Sequence, residues 1–411
     1  MLRTLSIFLS LLVPADTTRS PDCGGILTPS GLRYRKCRPT APCQQQAVTS
    51  STLLAPGSHA TPHRNQIISV KVDKFSLTLV PDTGMRLRLT GWSQLSILAD
   101  LHVDMNPEGN LELVTSDCKP TLEEVVSRSI LEQIMRWDKA CPSFPPLPEH
   151  PSAPFAAPFP ITPSCQVQYL PLAAPMYSEQ GIIISLQTTF QVAGTVIPLP
   201  VSPVPFSMPE PARSSPSHLI LAFSEHFYTS LFSALEESGA LNVSLLSSLT
   251  TATLAERITQ MGSLFQEDLP VVLQAVTRSS PHVVLEEDKA IVKLFLTAQI
   301  GAGSALFQSF LSVNVDVTAR LHLSVADTRM IISVAAIEGH VPAALLEELF
   351  LPTIREEVPA QINKVLRQGV FLPHIASFTY TDVNITIHKD YVLIPCNLQL
   401  EARIGEANTW E

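Results

Sequence analysis

Two spacings along the chain place titratable side chains on one face of an extended strand: His102 with Asp104, and His388 with Asp390. Residues two apart in a strand lie on the same side, so such a carboxylate can orient an imidazole for acid/base work. Neither pair has a third group at a fixed spacing. In half-buried strands, alternate polar positions are ordinarily the water-facing ones. The run Gly301-Ala302-Gly303-Ser304-Ala305 offers a serine among small residues, but a nucleophile elbow needs glycine two positions before and after the serine. It reads as a hairpin turn. Five adjacent carboxylate pairs, Glu123-Glu124, Glu236-Glu237, Glu286-Glu287, Glu347-Glu348 and Glu356-Glu357, lack the alternating Asp/Asn loop and turn glycine that enclose calcium. They fit solvated helix faces and turns. No catalytic and no metal-binding residue is assigned, and the chain is expected not to be an enzyme.

What positions side chains in this protein is then a question of compartment and core. Arg3 followed by the apolar residues 5–13 and the small residues Val13-Pro14-Ala15 has the form of a signal peptide over residues 1–15, which predicts secretion. That run is shorter than the roughly 20 apolar residues of a bilayer-spanning helix, so no transmembrane anchoring is expected. The seven cysteines, entering an oxidising pathway, read as disulfide candidates, and their pairing stays open. Two sequons, Asn242-Val-Ser244 and Asn384-Ile-Thr386, fit the same route as glycosylation sites. The formal net charge is −10, and losing residues 1–15 removes the positive Arg3. This disfavours nucleic acid as a partner and tight non-specific adhesion to anionic membranes. Hydrophobic residues reach 45% against 16% charged, so either much is buried or something apolar is bound.

At 411 residues the chain predicts two domains. Residues 35–66 have no sustained period. Alternation at Ile68, Val70 and Val72, then Phe75, Leu77 and Leu79, and again over 85–89, 98–103 and 111–114, predicts antiparallel sheet. Between Cys118 and Cys141 the spacing of Val126, Ile130, Ile134 and Trp137 predicts a helix, and proline dominates 142–163. Strand character returns over 166–196. The second half opens with a predicted helix carrying Phe223, Phe227, Leu231 and Leu235 and ending at Gly239. Another is predicted to carry Leu254, Ile258, Met261 and Phe265 on one face. Strands follow over 282–285, 290–300, 310–325 and 330–337. A last helical stripe, Leu345, Leu349, Ile354, Val358, Ile362 and Leu366, is predicted to be broken by Pro352 and Pro359 before terminal strands within 378–400. Strand meanders mixed with long amphipathic helices define an α+β class.

Several stretches also resemble a known family. Residues 24–34, GGILTPSGLRY, resemble the start of mature proteins of the bactericidal/permeability-increasing (BPI) superfamily, where a short apolar turn and Gly-Leu-x-Tyr open the first amphipathic helix. Residues 218–242 are similar to the opening of that superfamily's second domain. Gly369-Val370-Phe371-Leu372-Pro373 followed by 383–393 resembles its closing strands. A narrower likeness to an avian egg-white member lies in 21–29, 168–175, 201–210 and 379–384. The resemblance implies a boomerang of two elongated antiparallel barrel-like domains with amphipathic helices, joined by a central sheet and a proline-rich linker. It divides the chain into 16–197, a linker over 198–217, and 218–411. It implies a disulfide between Cys118 and Cys141, and leaves Cys23, Cys37, Cys43, Cys165 and Cys396 unassigned.

The function this implies is lipid binding, with innate defence or antibacterial action in a secreted fluid such as egg white. No cofactor is expected beyond a bound phospholipid or other acyl-chain lipid, and the partners are lipids, including those of bacterial surfaces. Leu27, Leu32, Phe223, Phe227, Leu231, Leu235, Leu254 and Ile258 are the expected pocket lining. The alternative is a secreted structural or interaction protein that keeps the fold and has filled its pockets. No nucleophile, base and orienting group assemble into a hydrolase.

Overall fold

Two glycines near the amino terminus, Gly24 and Gly25, sit in the middle of the largest sheet, on strand β1 (Cys23–Leu27). The computed structural model describes residues 20–32, 72–80, 84–91, 95–105, 111–122, 158–198, 204, 206–209, 216–258, 265, 267–303, 307–340, 344–373 and 378–400. The expected signal peptide, Cys37, Cys43, Cys141, Met261 and the helix expected beyond Cys118 with its residues 126–137 lie outside these. The turn expected to open a helix at Gly24 is instead this strand, and only the single-turn α1 (Pro29–Leu32) follows it. A Cβ at Gly24 would meet the Ile184 carbonyl oxygen at 2.6 Å and the Met208 sulfur at 2.7 Å. Glycine here serves close packing on a strand rather than a turn.

A first antiparallel meander runs through β2 (Val72–Val80), β3 (Gly84–Gly91), β4 (Leu95–Met105) and β5 (Leu111–Leu122). β5 carries strand geometry through Cys118 to Leu122, past the point where helix was expected to begin. Tyr177 ties this meander to the central sheet by accepting the Val103 N–H at 2.5 Å.

Next come β6 (Phe159–Thr162), β7 (Cys165–Pro171), β8 (Met176–Ser178), β9 (Gly181–Val192), β10 (Thr195–Val196) and β11 (Leu219–Ser224). At the far end of the chain lie β18 (Phe378–Thr381), β19 (Thr386–His388) and β20 (Tyr391–Leu400). These strands and β1 form one sheet in the order β18-β20-β11-β1-β9-β7-β6, with β8 and β10 on β9 and β19 on β20. β1 is antiparallel to both β9 and β11, with Cys23 opposite Leu186 on one side and Phe223 on the other. The amino terminus thus stitches the end of the first half to the start of the second, and the last strand pairs on β11.

Helix α2 (Glu225–Glu237) begins two residues later than its stripe predicts, because Phe223 belongs to β11 and Ser224 caps the helix, accepting the Phe227 N–H at 3.3 Å. Its end follows the glycine rule: Gly239 has φ of 70°, and Ala240 N–H reaches back to the Leu235 carbonyl. Every residue from His226 to Leu235 is buried, since the helix lies between the central sheet and β13 (Pro270–Glu286). β12 (Val243–Thr250) is a strand the period did not predict, and α3 (Thr251–Arg257) is a short helix with a Thr250/Thr253 capping box. The expected longer helix stops there. Ile258 is already extended at ψ of 93°, and Phe265 instead meets Phe310 edge-on at 5.5 Å.

β12 and β13 continue with β14 (Lys289–Ala302), β15 (Gln308–Ala326), β16 (Arg329–His340) and β17 (Val370–Phe371) as an antiparallel six-stranded sheet in chain order. Its inner face is an unbroken apolar alternation such as Val315, Val317, Ala319, Leu321 and Leu323. α4 (Ala344–Leu366) crosses that face and touches both β16 and β12, near the two edges. Contrary to the expected breaks, it is one helix with Pro352 and Pro359 inside. Each proline deprives the carbonyl four residues back of its donor, and here those residues, Glu348 and Arg355, are exposed, so water takes over. Two meanders joined by a central sheet, with few helices, make an α+β fold of the boomerang type.

Candidate functional site

The carboxyl half of α4 is held firmly. Val358, Ile362 and Leu366 follow one another every four residues and are all buried. Asn363 acts as a short extra strand for β16: its Oδ1 accepts the Val334 N–H at 2.7 Å and its Nδ2 donates to the Val334 carbonyl at 3.2 Å. In the amino half, Phe350 and Ile354 are buried. Its tie to α3 is the exposed pair Arg257–Glu348 at 3.6 Å, a kind worth about 0–1 kcal/mol. Beneath this half lies a wholly apolar seam, lined by Leu273 of β13, Ala298 and Ile300 of β14, Val313 and Val315 of β15, and Phe350 and Ile354 of α4. Its volume is about 10 Å³, room for roughly one water.

The expected lining residues fall elsewhere. Phe223, Phe227, Leu231, Leu235 and Leu254 are completely buried in one continuous core between the central and six-stranded sheets. Phe227 stacks within 4.7 Å of Phe223, 5.1 Å of Tyr228 and 6.2 Å of Phe190. These side chains fill space between elements. Leu27 lies half-buried on β1, Leu32 ends α1, and Ile258 caps α3. The structure brings the α2 residues together in the same continuous core as the seam residues, but not in the seam lining. Five of the seven seam residues belong to strands and a stripe visible in the sequence, Leu273 and Phe350 do not, and nothing local marks where α4 crosses the sheet.

Sequence reasoning also missed a buried polar junction. Asp22 is 1% exposed; its Oδ1 accepts the Thr188 N–H at 2.9 Å, and its Oδ2 accepts the Thr188 hydroxyl and faces His226 Nδ1 at 3.8 Å. A carboxylate this deep needs such donors to offset its lost water. The cluster locks β1, β9 and α2 to each other. Burial, and then the neighbouring Asp22, push the Cys23 thiol well above its ordinary range.

Cys23, Cys165 and Cys396 are buried free thiols. Burial raises Cys165 to about 11 and Cys396 to about 12, which keeps them protonated and unreactive. Register keeps them apart. Cys23 is level with Leu186 on β9, whereas Cys165 is level with Val192, about 20 Å further along. Cys396 is level with Leu219, opposite the other end of β1. Bridging requires Cα atoms within about 7 Å, so none of these three pairs with another. Cys118 stands on β5 opposite Ala99; its expected partner Cys141 lies outside the described residues.

The other singled-out residues are placed as follows. His102 is half-buried and Asp104 exposed on β4, where Asp104 accepts the Met105 N–H. His388 faces Glu287 at 3.4 Å, not Asp390, which leaves the strand in a left-handed turn at φ of 72°. Gly303 lies in the connection between β14 and β15. Asn242 and Asn384 are exposed. Among the described residues, no helix is long and apolar enough to cross a membrane.

Comparison with known proteins bears on the whole chain. The family described as LBP / BPI / CETP, C-terminal domain, matches residues 163–400. The chain is 51% identical to Protein TENP of Gallus gallus, over 98% of its own length and all of that protein. It is 24% identical to human BPI fold-containing family B member 2, over 58% of this chain and 57% of that one. The crystal structure of lipopolysaccharide binding protein aligns with a TM-score of 0.47 at 14% identity, covering 93% of this chain and 100% of the other. The extent of the family match and the end-to-end identity lead to one conclusion: this chain belongs to the LBP/BPI/CETP family.

Proposed function

We propose that the protein is secreted and binds an acyl-chain lipid between the six-stranded sheet and the amino half of α4, in an innate-defence role in a secreted fluid. The observation that carries this reading is the seam: seven apolar side chains and no polar one, roofed by the half of α4 that lacks the Asn363 anchor. Pro352 and Pro359 each remove a helix hydrogen bond, which lets this segment bend outward at low cost. A chain entering there is stabilised by area removed from water, about 25 cal/mol per Å². Phospholipid and bacterial lipid are the substrates of this reading, and it needs no reaction and no cofactor.

A second reading, a structural or interaction protein with filled pockets, draws on the seam's volume of about 10 Å³. Organic extraction and mass spectrometry of lipid co-purifying with the secreted protein separates the two. One or two acyl-chain lipids per chain support binding. Lipid no higher than in a mock purification, with none taken up on addition, leaves the structural reading.

A further inference from the structure

Beside the turn between β13 and β14 lies a crevice of about 300 Å³ lined by Asp288, Arg320 and His322 together with the apolar Leu321, Leu323, Ala335, Ile385 and Ile387. This volume is at the lower end of small-molecule sites. Arg320 and His322 are exposed and flank the inward-pointing Leu321, so they project together from the outer face of β15. The apolar seam shares no lining residue with this crevice.

The crevice is built rather than accidental in shape. Ala336 pairs with Arg320 and Val334 with Leu321, so Ala335 is an extra residue in β16. Such a bulge bends the strand and re-aims its neighbours. The opposing wall, Ile385 and Ile387, is pinned by the turn between β13 and β14. Asp288 N–H donates to the Ile387 carbonyl at 3.0 Å, Lys389 N–H to Glu287 Oε1 at 3.2 Å, and Asp390 N–H to the Leu285 carbonyl at 3.2 Å. The neighbouring charges are engaged, Lys289 with Glu286 at 3.7 Å and His388 with Glu287 at 3.4 Å. Among the described residues, the side chains of Arg320, His322 and Asp288 make no hydrogen bond or ion pair. One crevice therefore holds a guanidinium and an imidazole, a carboxylate not paired with them, and an apolar wall.

We propose that this crevice binds a small zwitterion. Arg320 and His322 hold its phosphate or carboxylate, Asp288 holds its ammonium, and the carbons between lie against Ile385 and Ile387. Arg presents donors in a fork that matches such oxyanions, and the carboxylate selects against anions lacking the amine. The site stands independently of the acyl-chain reading.

The test is calorimetric titration of the full secreted chain with phosphoethanolamine, inorganic phosphate and ethanolamine. Phosphoethanolamine is expected to bind on the order of tenfold tighter than either fragment. Arg320→Gln, an exposed substitution checked for fold by circular dichroism, is expected to weaken phosphoethanolamine and phosphate alike by about tenfold. Asp288→Asn is expected to abolish the preference for phosphoethanolamine over phosphate. Phosphatidylglycerol vesicles with and without phosphatidylethanolamine distinguish sources: Arg320-dependent capture of only the second kind assigns a lipid headgroup, and binding of soluble ligand alone assigns a free zwitterion. No phosphoethanolamine binding, binding indifferent to Arg320→Gln, or a preference that survives Asp288→Asn overturns the proposal.

Discussion

Phe350→Ala tests the seam directly. Phe350 is 3% exposed and forms part of the roof over Leu273, Ala298 and Val315. A buried Phe→Ala change costs about 3–5 kcal/mol, the larger values where surroundings fail to collapse. Here the roof is the half of α4 away from the Asn363 bonds, tied to α3 by the exposed Arg257–Glu348 pair, so it can settle partway and about 3 kcal/mol is expected. The discriminating outcome is rescue. A ligand that binds only the folded state stabilises it by about 2.7 kcal/mol at a hundred times its Kd. The widened seam should therefore let a single-chain phospholipid recover most of the loss. The assay is urea unfolding of wild type and variant, each with and without lipid, followed by tryptophan fluorescence and circular dichroism. A cost below about 1 kcal/mol would show that Phe350 is not packed as described. A full cost with no lipid rescue would refute the seam as the acyl-chain site.

Other substitutions probe the elements around it. Asn363→Leu leaves the Val334 N–H and carbonyl without their side-chain partner and should cost about 2–6 kcal/mol, because each of the two orphaned groups costs about 1–3; Asn363→Gln should not restore it, and thermal unfolding gives the readout. Gly24→Ala drives a Cβ to 2.6 Å from the Ile184 carbonyl oxygen and should destabilise by more than about 1 kcal/mol, measured by denaturant midpoint. With folded thiols raised to about 11 at Cys165 and about 12 at Cys396, stability is complete below the unfolded thiol value of about 8.5 and is lost as pH rises from there toward the folded values, since only the unfolded chain ionises. Midpoints measured between pH 8 and 10.5 should fall, and Cys396→Ala should make the fall shallower. At lower pH, the same thiols should react with a disulfide reagent only on unfolding. Affinity for lipopolysaccharide should be weak given the formal charge of −10; a tight complex that persists in high salt contradicts this.

The parts of this fold that the sequence predicts well are those whose signal is local. The strands over 290–300 and 310–325, and 330–337 as far as the bulge at Ala335, alternate because one face meets the core and the other meets water. β12 escaped the same logic for a physical reason. Its inward Ser247 is buried and its outward Leu246 is exposed, so the period-two contrast is inverted just where it would be read. Phe223 counts as helical by spacing because the strand β11 runs directly into α2, and a residue two places before the first helical position still aligns with Phe227. Pro352 and Pro359 predict breaks only if their lost acceptors are buried, and burial of the residues four places back is a tertiary property.

The same distinction explains why the site was harder to read than the fold. The stripe Ile354, Val358, Ile362 and Leu366 says that one face of α4 is buried, but not that it spans from β12 to β16 and roofs Leu273 and Val315. That crossing is set by the length of the sheet strands and by Asn363, a polar residue whose two bonds to Val334 are invisible to any hydrophobic period. Likewise α2 is apolar enough to line a pocket, and spacing alone cannot tell lining from filling. The difference is what lies opposite: β9 and β11 on one side and β13 on the other pack against it, and every residue from His226 to Leu235 is buried. Among the described residues, α4 packs against one sheet only, and its outer face carries exposed residues such as Pro352, Arg355 and Glu356. A helix enclosed between two sheets can move only by disrupting both, whereas a helix on one sheet can lift from it. If a lipid enters the second half of this chain, the element that yields is therefore α4, and its yielding end is the one without Asn363.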